Sequence, residues 1–459
     1  MELQARIFVA CLPLETYVKP TSDEAPLLLL RVCRRWRDIA LRTPELWSSL
    51  DTIPNVEFDL DAPEAVRSED VDFYQRWLSR AGNRPLSLAI ALGNSSPFAD
   101  EWMEVACSFR RRFERFRIVA RSELDLDVLL EGSSLLKHLA IEARYEEGDR
   151  TLTIAHPHPT LHTLLLDSLT VTPTTLPQPS WASLVRLGVR LPTDTVFEAD
   201  VLLTLLDHCP RLERLIFGPI ASTNLPLRSR SHATLRAISM VFDSFDEDAE
   251  EHTHPMLILP SVTFLEVLPD FERPLEDALT SYEEYEVATV SDPASAGVAG
   301  RTCTLRLSGA EEFLGVFDPC WVTVTHLGME VSGDIDVWRK ILTWCPNLKE
   351  LTVIGSPCTT RSASLCDPLT HDKLESLYIA TKVELGNLLC AATFSALREL
   401  TVCAGYYGEP EDVLDFLSRS KCPLELLCIS RGLSNAWTSA EKAELRRLLP
   451  SLDPRNLRI

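Results

Sequence analysis

The sequence predicts an α/β fold in which a short N-terminal helical unit precedes a long array of parallel strands with helices on the outside. Three observations carry this prediction. A stretch rich in leucine and tryptophan occupies residues 25–50, and an apolar template recurs every 23 to 28 residues in two later runs. Apolar helical segments that end at Cys-Pro stand between several of the template copies, so helices and strands alternate along the chain.

Proline positions and apolar spacing predict the central helix of the N-terminal unit. Pro26 suits a first helical position, with Ser22 or Asp23 available as a cap, and Pro44 marks the end, so one helix of about four to five turns is expected. Apolar residues at steps of three and four predict one stripe on it: Leu29, Val32, Cys33, Trp36 and Ile39. The opposite side is predicted to be a solvated polar face: Arg31, Arg35, Asp38 and Arg42.

Short helices are predicted on both sides of this one. Leu3, Ile7 and Cys11 lie four residues apart and indicate a helix that ends at Pro13. Thr43-Pro44-Glu45 resembles a new helix start, followed by Leu46 and Trp47. About fifty residues in three helices bury only a small fraction of their surface, so the apolar residues need a cover. Either the rest of the chain or a partner protein supplies it.

These residues also carry a resemblance to a known family. The stretches "ELQARIFVACLP" and "LLLLRVCRRWRDIALRTPELWSSL" together resemble an F-box, the helical module that docks on the Skp adaptor of Skp-cullin-F-box ubiquitin ligases. Val32-Cys33-Arg34, Trp36 and Leu46-Trp47 match its most recognisable part, whereas the Leu-Pro pair that usually opens the module is absent. The resemblance implies adaptor contacts by ten residues: Leu3, Ile7, Phe8, Leu28, Leu29, Val32, Cys33, Trp36, Leu46 and Trp47.

The repeated template places apolar residues at i, i+3 and i+5. Its copies begin at Leu136, Leu161, Leu184, Leu212, Leu235 and Val262, and then at Val324, Leu348, Leu374, Leu397 and Leu424. This spacing is typical of the strand segment of a leucine-rich repeat, in which each unit buries its leucines only by stacking on its neighbours. The sequence therefore predicts an irregular leucine-rich-repeat solenoid of parallel strands with outer helices.

Helices are predicted between several strands, as in "ADVLLTLLDHCP", "DVWRKILTWCP" and "EDVLDFLSRSKCP". Proline prevents the preceding residue from continuing the helix, and the small cysteine can pack under the turn. Before the first template copy, "PLSLAIAL", a helix over 100–113 and "FRIVA" predict an irregular first repeat. The template is interrupted between Val267 and Val324, where "CTLRLSG" is a candidate further strand.

The predicted organisation is an F-box over 1–50, a linker over 51–84 and the solenoid over 85–459, with an acidic or low-complexity interruption around 268–301. The segment "FYQRWLSRAGNRPLSLAI" after the F-box resembles the expanded group of fungal F-box proteins with irregular leucine-rich repeats. The resemblance implies partners in the Skp adaptor and cullin, and a target protein held by the solenoid.

The net charge and the cysteine pattern indicate which kinds of partner and which compartment to expect. A formal charge of -22 argues against nucleic acid as a partner, because that affinity rests on cationic contacts to phosphate. Residues 241–286 hold fourteen carboxylates and one arginine. Within them, the tract 243–251 is either a solvated loop or a surface for a basic partner. Thirteen cysteines without a CxxC pair favour an intracellular protein. No apolar stretch reaches the about eighteen residues of a membrane helix.

No catalytic motif, phosphate loop or zinc spacing is present, so we expect a non-catalytic chain without metal or cofactor. His156-Pro-His158 and His252-Thr-His254 are the closest histidine pairs, either metal ligands or ordinary loop residues. Arginines cluster at 110–112, 115, 117 and 121, either as a solvated helix end or as a surface for an acidic partner. The predicted function is substrate recruitment to a ubiquitin ligase; the alternative is a repeat scaffold that no longer assembles a ligase.

Overall fold

The structure is a computed structural model in which the chain divides into two compact units, Met1–Gly218 and Pro219–Ile459. The described residues are 2–13, 16–53, 68–92, 99–120, 126–144, 152–192, 195–221, 229–242, 256–268, 275, 301–307, 315–331, 335–355, 369–381, 392–402, 410–429, 437–450 and 452–458. The tract 243–251, the pair His252 and His254, and nearly all of the predicted interruption around 268–301 lie outside them.

The first unit begins with three helices and a 3-10 turn. Their bounds are α1 Glu2–Ala10, α2 Leu27–Val32, α3 Arg34–Leu41 and the turn Pro44–Trp47. The predicted single helix from Pro26 onward is therefore wrong, because Cys33 takes an extended conformation with φ -160° and ψ 169°. The Arg37 side chain donates from Nε to the Leu30 carbonyl oxygen at 2.9 Å, so an end carbonyl of α2 keeps a hydrogen bond at the break.

A parallel sheet follows in the first unit, and its strands are neighbours in the order of the sequence. They are β1 Ser49–Asp51, β2 Leu86–Leu92, β3 Phe113–Ala120, β4 His138–Ala143, β5 Thr163–Asp167, β6 Arg186–Arg190 and β7 Arg214–Ile220. Strand β1 pairs with β2, with Leu50 opposite Leu88. The first strand of the sheet therefore spans the predicted boundary at residue 50.

Helices stand between successive strands of the first unit in the sequence. They are α4 Ser68–Arg80, α5 Ala99–Phe109, α6 Leu126–Leu130, α7 Gln178–Ser183 and α8 Ala199–His208. Helix α4 falls within the segment 51–84 that was predicted to be a linker, and it packs on the 3-10 turn of the N-terminal unit. The segment 51–84 thus contains a helix over 68–80, and 54–67 lies outside the described residues.

The second unit repeats this construction. Its main parallel strands are β9 Ala237–Phe242, β11 Phe264–Leu268, β12 Arg301–Leu307, β14 Val324–Val331, β15 Glu350–Gly355, β17 Ser376–Thr381, β19 Glu399–Val402, β20 Leu426–Ile429 and β21 Leu457–Arg458. Short strands form two small sheets: β8 Arg230–Ser231, β10 Leu257–Ile258 and β13 Phe317–Asp318 in one, and β16 Leu369–Thr370 and β18 Ala392–Thr393 in the other. Its described helices are α9 Ile335–Trp344, α10 Pro410–Ser420 and α11 Ser439–Leu448.

The template residues line the interior, as predicted. Leu139, Leu164, Leu187 and Leu215 are register neighbours on β4 to β7, and all are buried. Side chains alternate across a strand, so the i+3 and i+5 positions face the same side, towards the core. The α/β class with a large parallel sheet that does not close into a barrel is confirmed. The candidate strand at "CTLRLSG" is also confirmed, as β12 over Arg301–Leu307.

Strand β12 changes the register of the second unit. Leu265, an i+3 residue of β11, lies opposite Leu305, and Leu305 lies opposite Met329, an i+5 residue of β14. The shift is two residues, so every side chain keeps its face of the sheet. Arg306 of β12 lies opposite Glu266 of β11 and Glu330 of β14. It forms ion pairs with Glu266 at 3.4 Å and with Glu330 at 2.7 Å.

Helices α8 and α9 end at buried cysteines, as the Cys-Pro pattern predicts. The Cys209 amide donates to the Leu206 carbonyl at 3.1 Å, and the Cys345 amide donates to Ile341 at 2.9 Å. Burial raises the pKa of both thiols to about 12, so neither is a thiolate near neutral pH. These cysteines pack the turns between helix and strand.

Candidate protein-docking site

Aromatic packing holds α1 against α3. The rings of Phe8 and Trp36 lie 4.9 Å apart at 51°, and Phe8 is buried while Trp36 is half-buried. Arg35 Nη2 donates to Gln4 Oε1 at 3.2 Å beside them. Since one face of α1 is used in this contact, the side chains on its other side are left to solvent.

Two apolar pairs remain exposed on the N-terminal helices. Leu3 and Ile7 on α1 are 71% and 52% exposed, and Leu28 and Val32 on α2 are 42% and 52% exposed. Each pair has a spacing of four residues, which puts its two members on the same face of their helix. We refer to Leu3, Ile7, Leu28 and Val32 as the N-terminal apolar surface. Covering such side chains with a partner would contribute on the order of 1 kcal/mol each.

Four of the ten residues that the F-box resemblance assigns to adaptor contact are buried within the chain itself. They are Phe8, Leu29, Leu46 and Trp47. Adaptor contact by these four stays a prediction, and in this structure the chain itself covers their side chains. Their role here is to hold the helices that carry the exposed pairs. Cys33 is exposed at the break between α2 and α3.

Helix α4 packs against Trp47, the last residue of the F-box-like motif. The Trp47 indole packs edge-on against Trp77 of α4, and its Nε1 donates to the Ala40 carbonyl oxygen at 2.9 Å. The Arg80 guanidinium lies 4.8 Å from the Trp47 ring centroid. Trp77 was not among the predicted site residues, although its spacing of four residues from Phe73 was a signal for a helix with one apolar face.

Exposed arginines lie on the N-terminal helices beside the apolar surface, and we call them the positive margin. Five arginines are exposed along α2, α3 and the residue that follows: Arg31, Arg34, Arg35, Arg37 and Arg42. Asp38 is the single carboxylate between the first and last of them. The predicted solvated face is confirmed in that its members are exposed. A partner on the apolar surface would meet this margin at its rim, where acidic residues would favour association.

His371 and His158 are buried histidines that contact backbone atoms of the chain. His371 is buried, with Nε2 3.0 Å from the Cys345 carbonyl oxygen, and its Nδ1 accepts from the Leu374 amide at 3.1 Å. Of the predicted metal pair, His158 is buried beside Ser133, while His156 lies 3.6 Å from Asp127. No group of three potential metal ligands occurs among the described residues.

The arginine cluster after α5 is largely engaged by the chain. Arg110 pairs with Glu131 at 3.1 Å, and Arg117 pairs with Glu142 at 3.6 Å. Arg112 Nε donates to the Arg84 carbonyl oxygen at 2.9 Å. Arg115 is exposed, and Arg121 lies outside the described residues.

Neither models of known protein families nor curated protein sequences give a match to this chain. Among the described helices, none combines the length and the apolar character needed to cross a membrane. The geometry of the N-terminal apolar surface is therefore the main observation on which a function can be proposed.

Proposed function

We propose that this chain recruits a target protein to a Skp-cullin-F-box ubiquitin ligase. In this role residues 1–50 are an F-box that docks on the Skp adaptor, and the parallel strands with outer helices are a degenerate leucine-rich-repeat solenoid that holds the target. The observation that carries the proposal is the N-terminal apolar surface. The N-terminal helices and the 3-10 turn bury Phe8, Leu46 and Trp47 against their own chain, yet Leu3, Ile7, Leu28 and Val32 stay exposed.

The chain would perform no bond chemistry in this role. Holding a target beside a catalyst raises the effective concentration of its lysines, which accelerates transfer without a catalytic residue on the recruiting subunit. The nine described cysteines are all free thiols, in keeping with a reducing intracellular compartment.

The test is co-purification of the full chain with the Skp adaptor at physiological salt. Val32→Asp places a charge in the proposed contact and is expected to abolish capture. Val128→Asp is the matched control, because Val128 in α6 is also 52% exposed and receives the same substitution away from the N-terminal helices. Equal capture by both variants would count against docking through this surface.

One observation favours a second candidate, a repeat scaffold that does not assemble a ligase. Leu46 and Trp47, the end of the recognisable motif, are buried in this chain's own fold, and Trp47 packs on Trp77 of α4. A scaffold would hold its ligand on the strands but capture no adaptor even as the unmodified chain. The co-purification experiment separates the two functions directly.

A further inference from the structure

Two large apolar side chains are exposed side by side on the sheet of the second unit. Ile354 of β15 is 51% exposed and Tyr378 of β17 is 36% exposed. Ile354 lies opposite Ala380, which follows Tyr378 by two positions, so the two side chains are diagonal neighbours on one face. Val353 and Ile379 point to the other face and are buried. The Ile354–Tyr378 pair therefore lies on the face of the sheet that is turned away from the core.

Small side chains leave room beside this pair. Gly328 of β14 and Thr352 of β15 lie in register with Tyr378. A Cβ atom added to Gly328 would have only the Thr304 side chain within 4 Å, with its nearest atom at 3.7 Å, an ordinary contact distance. The space above Gly328 is therefore open, so a ligand side chain can approach the sheet next to the pair.

Carboxylates lie on both sides of the pair along the strand direction. Glu330 of β14 is the register neighbour of Ile354. At the other end of the strands, Glu350 and Glu399 lie on either side of Ser376, two positions before Tyr378. The Glu330 and Glu350 side chains are 56% and 59% exposed, and Glu399 is exposed. A partner on the pair would therefore meet accessible negative charge at both ends.

The basic side chains on this face are largely covered. On strands β11 to β20 of the main sheet, the face carries four glutamates, one arginine and one histidine: Glu266, Glu330, Glu350, Glu399, Arg306 and His326. The side chains of Arg306 and His326 are only 17% and 15% exposed. The charge that a partner can reach on this face is therefore negative.

The exposed carboxylates keep capacity for a partner. Arg306 lies 2.7 Å from Glu330, and His326 lies 3.5 Å from Glu350. Glu399 accepts a hydrogen bond from the Ser376 hydroxyl at 3.3 Å. An ionised carboxylate has about four acceptor positions, so one such contact leaves others open to solvent or to a ligand.

Arginine matches both halves of this surface. Its guanidinium group stacks on aromatic rings and donates parallel N–H groups to the two oxygens of a carboxylate. Alternate residues of an extended segment point to the same side, so arginines and an aliphatic residue at every second position can face the sheet together. The aliphatic side chain would cover Ile354, and the arginines would reach Tyr378 and the glutamates.

We propose that this face, formed by Ile354, Tyr378, Glu330, Glu350 and Glu399, binds an extended segment of a partner protein that carries arginines around an aliphatic residue. The segment would belong to the recruited target, so the inference rests on the proposed function. Charge complementarity favours this occupant, because the formal charge of the whole chain is also negative, at -22, and attracts a basic segment before contact.

The experiment measures binding of a fluorescein-labelled peptide, Gly-Arg-Gly-Leu-Gly-Arg-Gly, to the purified full chain by anisotropy at about 0.15 M salt. Glu350→Gln with Glu399→Gln is expected to weaken binding about tenfold or more, because both carboxylates lose their charge. Glu411→Gln with Asp415→Asn removes two exposed carboxylates from α10 and is the matched control, which should bind as the unmodified chain does.

The apolar pair is tested separately. Ile354→Ser with Tyr378→Ser is expected to weaken binding about tenfold or more, whereas Val322→Ser, at a 60% exposed position elsewhere in the second unit, should leave it unchanged. Circular dichroism shows whether each variant is folded. If the serine variant does not fold, the glutamine variant still decides the outcome, because its substitutions lie at exposed positions.

Three results would overturn the proposal. They are no binding of the peptide by the unmodified chain, equal binding by the glutamine variant and its control, or a dimer of the unmodified chain that the serine variant converts to a monomer. The last result, from sedimentation velocity, would show that a second copy of the chain covers this face.

Adaptor capture by the same proteins separates this proposal from the proposed function. The glutamine variant should capture the adaptor normally, and Val32→Asp should bind the peptide normally. Peptide binding by a chain that captures no adaptor would support this surface and reject the ligase role. Adaptor capture by a chain that does not bind the peptide would reject this surface and leave the ligase role intact.

Discussion

The indole rings of Trp47 and Trp77 meet edge to face, with centroids 5.0 Å apart and planes at 82°. Trp47 closes the N-terminal helical unit, and Trp77 lies on α4 beyond it in the sequence. Trp77 Nε1 also donates to the Ser49 carbonyl oxygen of β1 at 3.0 Å. This pair therefore joins the N-terminal helices to the first strand of the sheet, and the helical unit is continuous with the sheet that follows.

Trp77→Ala should destabilise the first unit by about 3 to 5 kcal/mol, because it leaves a cavity against Trp47 and removes the hydrogen bond to Ser49. Urea unfolding followed by far-UV circular dichroism measures the change. Gln75→Ala, an exposed position on the same helix, is the control and should change stability by less than about 0.5 kcal/mol. A loss as small as the control's would contradict the assigned contact.

Leu187→Ala should cost about 2 to 5 kcal/mol, since Leu187 is buried between its register neighbours Leu164 and Leu215. Leu135→Ala is the matched control, because Leu135 is exposed just before β4. Its effect should stay within about 0.5 kcal/mol. Thermal unfolding of both variants tests the assignment of the template, and similar losses would refute it.

His138 should make stability depend on pH below neutrality. Burial, followed by the charges of Arg115, Arg186 and Arg117, lowers its folded pKa to about 4, below the unfolded value of 6.5, so the unfolded chain binds the proton first as the pH falls. Compared with His138→Gln, the unmodified protein should lose roughly 1 to 3 kcal/mol between pH 6.5 and 4, and nothing above pH 7. Urea midpoints across this range measure the difference, and a constant difference would exclude a lowered pKa.

Cysteine reactivity should follow burial. Burial raises the pKa of Cys209, Cys303 and Cys345 to about 12, whereas Cys11 and Cys33 are exposed. Iodoacetamide at pH 8 should label the two exposed cysteines in the folded chain and spare the three buried ones, because the thiolate is the reactive form. Peptide mass mapping measures labelling site by site, with urea-unfolded protein as the control. Comparable labelling of Cys209 and Cys33 in the folded state would show that burial does not govern reactivity.

Within the proposed function, Leu3→Ser with Ile7→Ser should weaken adaptor affinity about tenfold or more, since two half-covered apolar side chains are worth at least about 1.4 kcal/mol. The fold should be unchanged, because both residues are exposed. Val128→Ser with Leu135→Ser removes two comparably exposed apolar side chains elsewhere and serves as the control. Isothermal titration with the purified adaptor gives the affinities, and equal values would exclude α1 from the contact.

The positions of the strands could be predicted because the template depends only on how side chains alternate within a single strand. Leu164 and Leu166 alternate with outward residues, and an extended backbone alone places them on one face of β5. Arg115, Arg186 and Arg214 each lie two positions after an apolar residue, respectively Phe113, Leu184 and Leu212, a regularity that was present in the sequence but was not used.

The break at Cys33 and the cover over Trp47 were not predictable in the same way. Helical spacing across Cys33 suits one continuous helix, and only the Arg37 side chain on the Leu30 carbonyl shows how the break is compensated. The sequence likewise shows that Trp47 and Val32 are apolar, but it does not show which of the two is buried in the fold. Trp77 of α4, thirty positions after Trp47 in the sequence, packs against Trp47 and helps to bury it.

The sequence by itself determined the α/β class, the places of the strands and the side chains that face the core, because alternation and helical spacing follow from backbone geometry within one element. Only the tertiary structure decided which apolar residues stay exposed, where β12 shifts the register, and which charged residues become neighbours. Those outcomes depend on contacts between elements distant in sequence, and no local period encodes them. The exposure of Leu3, Ile7, Leu28 and Val32, on which the proposed docking rests, belongs to this second group.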